Sequence, residues 1–160
     1  MSGDSNLADL MVHLNRLVYE SSPSNRYATL FYGQYDARTG ELRYVNAGHN
    51  PPILVRPSGE VIRLEVGGPV VGLLEACAYE RGSVTVGCGD VLVAFTDGVS
   101  EAMNAADEEW GEERLLETIG SSPLPPAPLI DSILQAADRF VTGAPQHDDM
   151  TLIVLQRLPR

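Results

Sequence analysis

The sequence predicts a single α+β domain over residues 1–160, made of antiparallel hairpins followed by helices. Three observations carry this. Between Tyr27 and Thr96 the apolar residues come in short runs rich in aromatic and β-branched side chains, separated by Gly- and Pro-containing turns. Between Glu112 and Val141 they recur at helical steps, and a last apolar run, Thr151 to Leu155, returns to a strand. Strands followed by helices, with no GxGxxG or P-loop pattern opening a helix, exclude a Rossmann arrangement.

Element by element, Leu7, Leu10, Met11, Leu14, Leu17 and Val18 form the stripe of an amphipathic first helix, with Asp4 or Ser5 placed to cap it. Ser21-Ser22-Pro23-Ser24-Asn25 ends it. Tyr27 to Asp36 and Glu41 to Ala47 read as a hairpin through Ala37-Arg38-Thr39-Gly40. Pro52 to Arg56 and Val61 to Leu64 read as a second, across Pro57-Ser58-Gly59-Glu60. Tyr79 to Val86 and Val91 to Thr96 are further strands, separated by the turn Gly87-Cys88-Gly89-Asp90. Glu112 to Ile119 is a short helix. Pro128 to Val141 is a longer one, with Leu129, Ile130, Ile133, Leu134, Ala137 and Phe140 on one face. Four of the eleven prolines fall between Ser121 and Pro128, which predicts a stiff surface connection.

Composition narrows the function classes. A formal net charge of −11 leaves no basic stripe for nucleic acid and no attraction to an anionic membrane. No basic n-region precedes an apolar run, and no apolar stretch nears the ~20 residues of a membrane span, so the expectation is a soluble, cytoplasmic protein. Cys77 and Cys88 are read as free thiols.

Two acidic spots adjoin predicted buried strands. Asp97 ends the run Val91-Leu92-Val93-Ala94-Phe95-Thr96, and Gly98 lets the backbone turn away beside it. Asp148-Asp149 directly precedes the last strand. Carboxylates of this kind suit Mg²⁺ or Mn²⁺, which take oxygen ligands and keep waters in their shell. If strands 91–96 and 151–155 are sheet neighbours, their ends bring Asp97 and Asp148 into one site. Taken singly, each spot also fits an ordinary turn or solvated loop.

The context sharpens the reading. Phe95-Thr96-Asp97-Gly98-Val99-Ser100-Glu101-Ala102, followed some fifty residues later by His147-Asp148-Asp149-Met150-Thr151-Leu152, resembles the paired acidic motifs of phosphatases of the sporulation stage II protein E (SpoIIE) type. Arg26-Tyr27-Ala28-Thr29-Leu30-Phe31, Tyr44-Val45-Asn46-Ala47-Gly48-His49-Asn50-Pro51-Pro52 and Trp110-Gly111-Glu112-Glu113-Arg114-Leu115 match the same pattern. The resemblance covers Leu7 to Leu155.

It implies the four-layer α-β-β-α sandwich of the metal-dependent, type 2C-like (PP2C-like) phosphatases, with antiparallel sheets and two Mn²⁺ or Mg²⁺ ions between them. By position, Asp97 matches a ligand of one metal and Asp148 a ligand of the other; these are the catalytic residues it implies. Asp149 supports the loop or holds a water, or serves as an alternate ligand, and Gly98 lies near the site. The implied activity is removal of phosphate from serine or threonine of a protein by a metal-activated water. The implied substrate is a phosphorylated anti-anti-sigma factor with a STAS-type domain, and a sensor or receiver domain would stand upstream. The family's bridging ligand is an Asp in a Gly-Asp-x-x-Gly-His-Gly-like motif, which is missing here. Gly3-Asp4 runs into Ser5-Asn6-Leu7 and reads as a capping segment. The expectation is a chain lacking the family's N-terminal strands and first helix, weakly active or inactive by itself, with an unpaired sheet edge that favours a homodimer. The alternative is a non-catalytic, partner-binding module.

His49, in a turn, is read as a structural hydrogen-bonding residue, and His13 and His147 as surface histidines. Glu101 either faces the site through water or serves the turn. Ser100 is no nucleophile, because no histidine stands at a motif-like position to activate it.

Overall fold

A computed structural model describes residues 7–23, 26–120, 125–142 and 149–158. Its backbone falls into two compact units, one made of residues 1–51 and 63–86 and the other of 52–62 and 87–160.

In the first unit, helix α1 (Leu7–Ser21) packs on a mainly antiparallel sheet. Strand β1 (Leu30–Asp36) pairs antiparallel with β2 (Glu41–Ala47), in register from Leu30↔Ala47 to Asp36↔Glu41. On its other side β2 meets β5 (Gly67–Gly68) in parallel and β6 (Gly82–Thr85) antiparallel. Leu7 and Met11 of α1 close over Val45, Ala47, Val71 and Tyr79. The helical stripe differs from the expected one: Leu10 and Leu17 are exposed, and a polar residue, Asn15, is buried in their place. Asn15 is tolerated there because Nδ2 donates to Leu74 O (2.9 Å) and Oδ1 accepts from Gly72 N–H (2.8 Å). The first hairpin strand starts at Leu30 rather than Tyr27, since Ala28 exchanges both backbone hydrogen bonds with Val71 instead of extending the hairpin.

In the second unit the sheet order is β4-β3-β7-β8, with β3 spanning Ile53–Val55, β4 Val61–Arg63, β7 Val91–Phe95 and β8 Leu152–Gln156. Short helix α2 (Asp97–Ser100) follows β7, then α3 (Gly111–Gly120) and α4 (Pro126–Phe140). Val93, Phe95 and Ile53 from the sheet meet Val99, Trp110, Leu115, Ile119, Leu129, Ile133 and Ala137 from the helical side. Helix α4 begins two residues before Pro128, because prolines at its start give up only amides that have no intrahelical acceptor. The Tyr79-to-Val86 strand shrinks to Gly82–Thr85, and β6 and β7 join different sheets. The Asp4 or Ser5 cap, Ser24-Asn25, Ser121 to Leu124 and His147-Asp148 lie outside the described residues. Among the described residues no helix is long and apolar enough to cross a membrane.

Candidate active site

The condition set for the site is met within the second unit. Strands β7 and β8 are antiparallel neighbours, with Phe95 opposite Leu152. The end of β7 that carries Asp97 is therefore the end at which the chain arrives from the Asp148-Asp149 pair. Asp148 itself lies outside the described residues, and Asp149 is described just ahead of β8.

Asp97 does not sit in a free turn, as the Asp-Gly dipeptide suggested. It opens α2, with Thr96 at the N-cap position in extended conformation (φ −83°, ψ 160°). Gly98 is helical and not among the glycines of positive φ. Gly98 and Val99 are buried, which anchors α2 in the core while Asp97 stays exposed. The Gly98 amide donates to Asp97 Oδ1 (2.9 Å), which orients the carboxylate. Asp97 O accepts from the Glu101 amide (2.7 Å), so Glu101 closes the short helix.

Thr96 joins the two acidic segments. Its hydroxyl donates to Asp149 O (3.1 Å) and accepts from Thr151 N–H (2.9 Å), while its amide donates to Thr151 O (3.1 Å). Reading the sequence missed this residue. Its signal was a hydroxyl residue at a strand-to-helix junction, which looks like an ordinary helix cap.

The remaining candidates fall outside this cluster. His49 is a corner residue, with its amide donating to Asn46 Oδ1 (2.8 Å) and Nδ1 2.7 Å from Asn50 O. His13 is exposed, Nδ1 2.7 Å from Asp9 O. Ser100 Oγ is turned toward Asp97 O (3.4 Å), and Cys88 is exposed.

The donor chemistry at Asp97 fits a hard divalent cation, which prefers carboxylate oxygens. Among the described residues no three His, Cys, Asp or Glu side chains gather into a metal-holding group, so Asp97 fits as one ligand of a site.

The family model of stage II sporulation protein E (SpoIIE) matches residues 1–158. The chain belongs to the SpoIIE family. Among its relatives, protein IcfG of Synechocystis sp. is 34% identical over 131 residues, covering 82% of this chain and 21% of that protein. Phosphoserine phosphatase RsbU of Bacillus subtilis is 29% identical over 155 residues, 94% of this chain and 45% of that one. The chain thus spans less than half the length of either. The solved phosphatase domain of the cell fate determinant SpoIIE from Bacillus subtilis, presoaked with Mn, superposes with a TM-score of 0.71 at 17% identity, over 98% of this chain and 69% of that one. This SpoIIE-family chain therefore has the PP2C-like fold, of mixed α+β class with antiparallel sheets.

Proposed function

We propose that this SpoIIE-family chain forms the catalytic portion of a divalent-metal-dependent protein phosphatase acting on phosphoserine or phosphothreonine. The observation that carries the reading is Asp97: an exposed carboxylate, oriented by the Gly98 amide, on a helix anchored at the strand end that Thr96 ties to Asp149. In this reading Asp97 and Asp148 hold Mn²⁺ or Mg²⁺, and Asp149 fixes the loop or a water. When bound, the ions supply the positive charge that makes a water acidic enough to attack phosphorus. The protein contributes position: α2 fixes Asp97, and the pairing of β7 with β8 fixes the approach of the second acidic segment. No phosphoenzyme is involved; the Ser100 hydroxyl is turned to the backbone of Asp97, and that of Thr96 is engaged with Asp149 and Thr151.

The name of the relative RsbU, a phosphoserine phosphatase, supports the substrate class. The finer proposal is a phosphorylated anti-anti-sigma factor with a STAS-type domain, in the cytoplasm, under an upstream sensor or receiver domain. A homodimer belongs to the same reading. Among the described residues β1 is a sheet edge, and Leu30 to Asp36 carry no Lys or Pro to discourage pairing. A monomer by light scattering at high concentration contradicts the dimer.

The test is phosphate release from a phosphoserine-bearing STAS protein with Mn²⁺. Release that EDTA and Asp97→Asn both abolish supports the phosphatase. Release undiminished in Asp97→Asn contradicts it, as does no release from any phosphoprotein by a longer chain that supplies the family's Gly-Asp-x-x-Gly-His-Gly-like segment. A second reading, a partner-binding module, is favoured by one observation: among the described residues no three His, Cys, Asp or Glu side chains gather into a metal-holding group. Partner binding indifferent to EDTA, without turnover, would establish that module.

A further inference from the structure

We propose that Thr96 is the positioning residue of this site, the side chain that holds the segment arriving at β8 next to Asp97; the inference rests on the phosphatase reading above. The ladder between β7 and β8 shows how. Beyond the Phe95↔Leu152 pair, the Thr96 amide donates to Thr151 O (3.1 Å). In a regular antiparallel ladder the Thr96 carbonyl would accept the Thr151 amide in return. Here the Thr151 amide goes to Thr96 Oγ1 (2.9 Å), and the Thr96 carbonyl accepts the Val99 amide (3.0 Å), which opens α2. One hydroxyl stands in for a main-chain acceptor. The sheet pairing therefore continues past the point at which the backbone has already turned into a helix.

The same hydroxyl spends its own proton on Asp149 O (3.1 Å). A threonine at an N-cap ordinarily turns its oxygen to the first amides of its helix, and Thr96 makes no such bond. Its side chain is diverted across the sheet. The consequence is a fixed relation between Asp97, one residue after the clamp on β7, and Asp149, the residue that the clamp holds. An alanine or valine at this position would leave the Thr151 amide without its acceptor and release Asp149 O.

The test compares Thr96→Val, which keeps the volume and removes both hydroxyl bonds, with Thr96→Ser, which keeps the hydroxyl. Residues that orient ligands from behind typically change metal affinity about 10- to 100-fold, so Thr96→Val is expected to weaken Mn²⁺ binding by about tenfold or more in calorimetry. Thr96→Ser is expected to restore wild-type binding. Amide exchange gives an independent reading: the Thr151 amide loses protection in Thr96→Val and keeps it in Thr96→Ser. Unchanged Mn²⁺ affinity in Thr96→Val overturns the proposal, as does a Thr96→Ser variant as weak as Thr96→Val. Absence of Mn²⁺ binding by the wild-type chain would fit the missing bridging Asp and would pass the phosphatase reading to a longer chain that supplies it. The clamp is then decided by exchange alone, and unchanged Thr151 protection in Thr96→Val overturns it.

Discussion

The side-chain amide of Asn46 holds both backbone ends of His49: Nδ2 donates to His49 O (2.9 Å) and Oδ1 accepts the His49 amide (2.8 Å). Nδ2 also donates to Leu64 O (3.1 Å), so one buried amide fastens the end of β2, the corner after it and the approach to β5. Most of the bonding in the Tyr44-to-Pro52 run is therefore architectural. Asn46→Ala leaves these buried backbone groups unpaired and is expected to cost about 2 kcal/mol or more. Urea denaturation checks this, and a loss below ~0.5 kcal/mol, the scatter of neutral surface changes, would contradict it.

Asp90 anchors the second unit in a comparable way. Its buried carboxylate takes Arg56 Nη1 (2.8 Å) and the Gly87 amide (2.7 Å) on one oxygen, while Arg56 Nε reaches Glu60 (3.0 Å). Asp90→Ala strands a half-buried guanidinium and an amide, with an expected cost of about 2–3 kcal/mol, below the full value for a wholly buried pair because Arg56 is partly solvated. Glu60→Ala, on the exposed side, is expected to cost no more than ~1 kcal/mol. Thermal melts of the two variants check the ordering, and equal losses would contradict it.

How much of this the sequence disclosed depended on whether period or bonding decided each element. The strands 91–96 and 151–155 were legible from their apolar runs, and the structure pairs them as neighbours. Strand β5 was not, because Gly67-Gly68 has no side chains to show a period. A Cβ on Gly67 would stand 1.8 Å from Asn46 O, so the pairing exists only through the lack of one. Leu10 and Leu17 fit the helical stripe as well as Met11 does, and only the fold decides which face is covered. Asn15 and Thr96 act through specific hydrogen bonds to residues distant in sequence, which no local pattern encodes.

Asn15 gives a test on the first helix. Asn15→Ala removes its bonds to Gly72 and Leu74 from a buried place and is expected to lower stability by about 1–3 kcal/mol. The neighbouring Arg16–Glu20 pair is largely exposed and screened by solvent, and Arg16→Ala is expected to leave stability essentially unchanged. Similar losses in both variants, measured by chemical denaturation, would contradict this account of α1.

Tyr79 predicts an alkaline limit. Burial, helped by its contact with Cys77 Sγ (3.3 Å), pushes the Tyr79 hydroxyl above its ordinary value of 10.0. The folded state then holds that proton more tightly than the unfolded chain. The associated stability is complete below pH about 10, and is lost as pH rises from there through the folded-state pKa. Denaturation at pH 8 to 11 is expected to show a steeper alkaline loss in the wild type than in Tyr79→Phe. Identical slopes would contradict it.

The most direct test of the central claim, that Asp97 belongs to a divalent-metal site, is calorimetric titration of the chain with Mn²⁺ beside Asp97→Asn. The carboxylate is exposed and its helix is held by Val99, so the substitution is expected to leave the melting temperature in EDTA unchanged. Saturable Mn²⁺ binding by the wild type, lost in Asp97→Asn, is the predicted result. Equal binding by both proteins would contradict the assignment of the site.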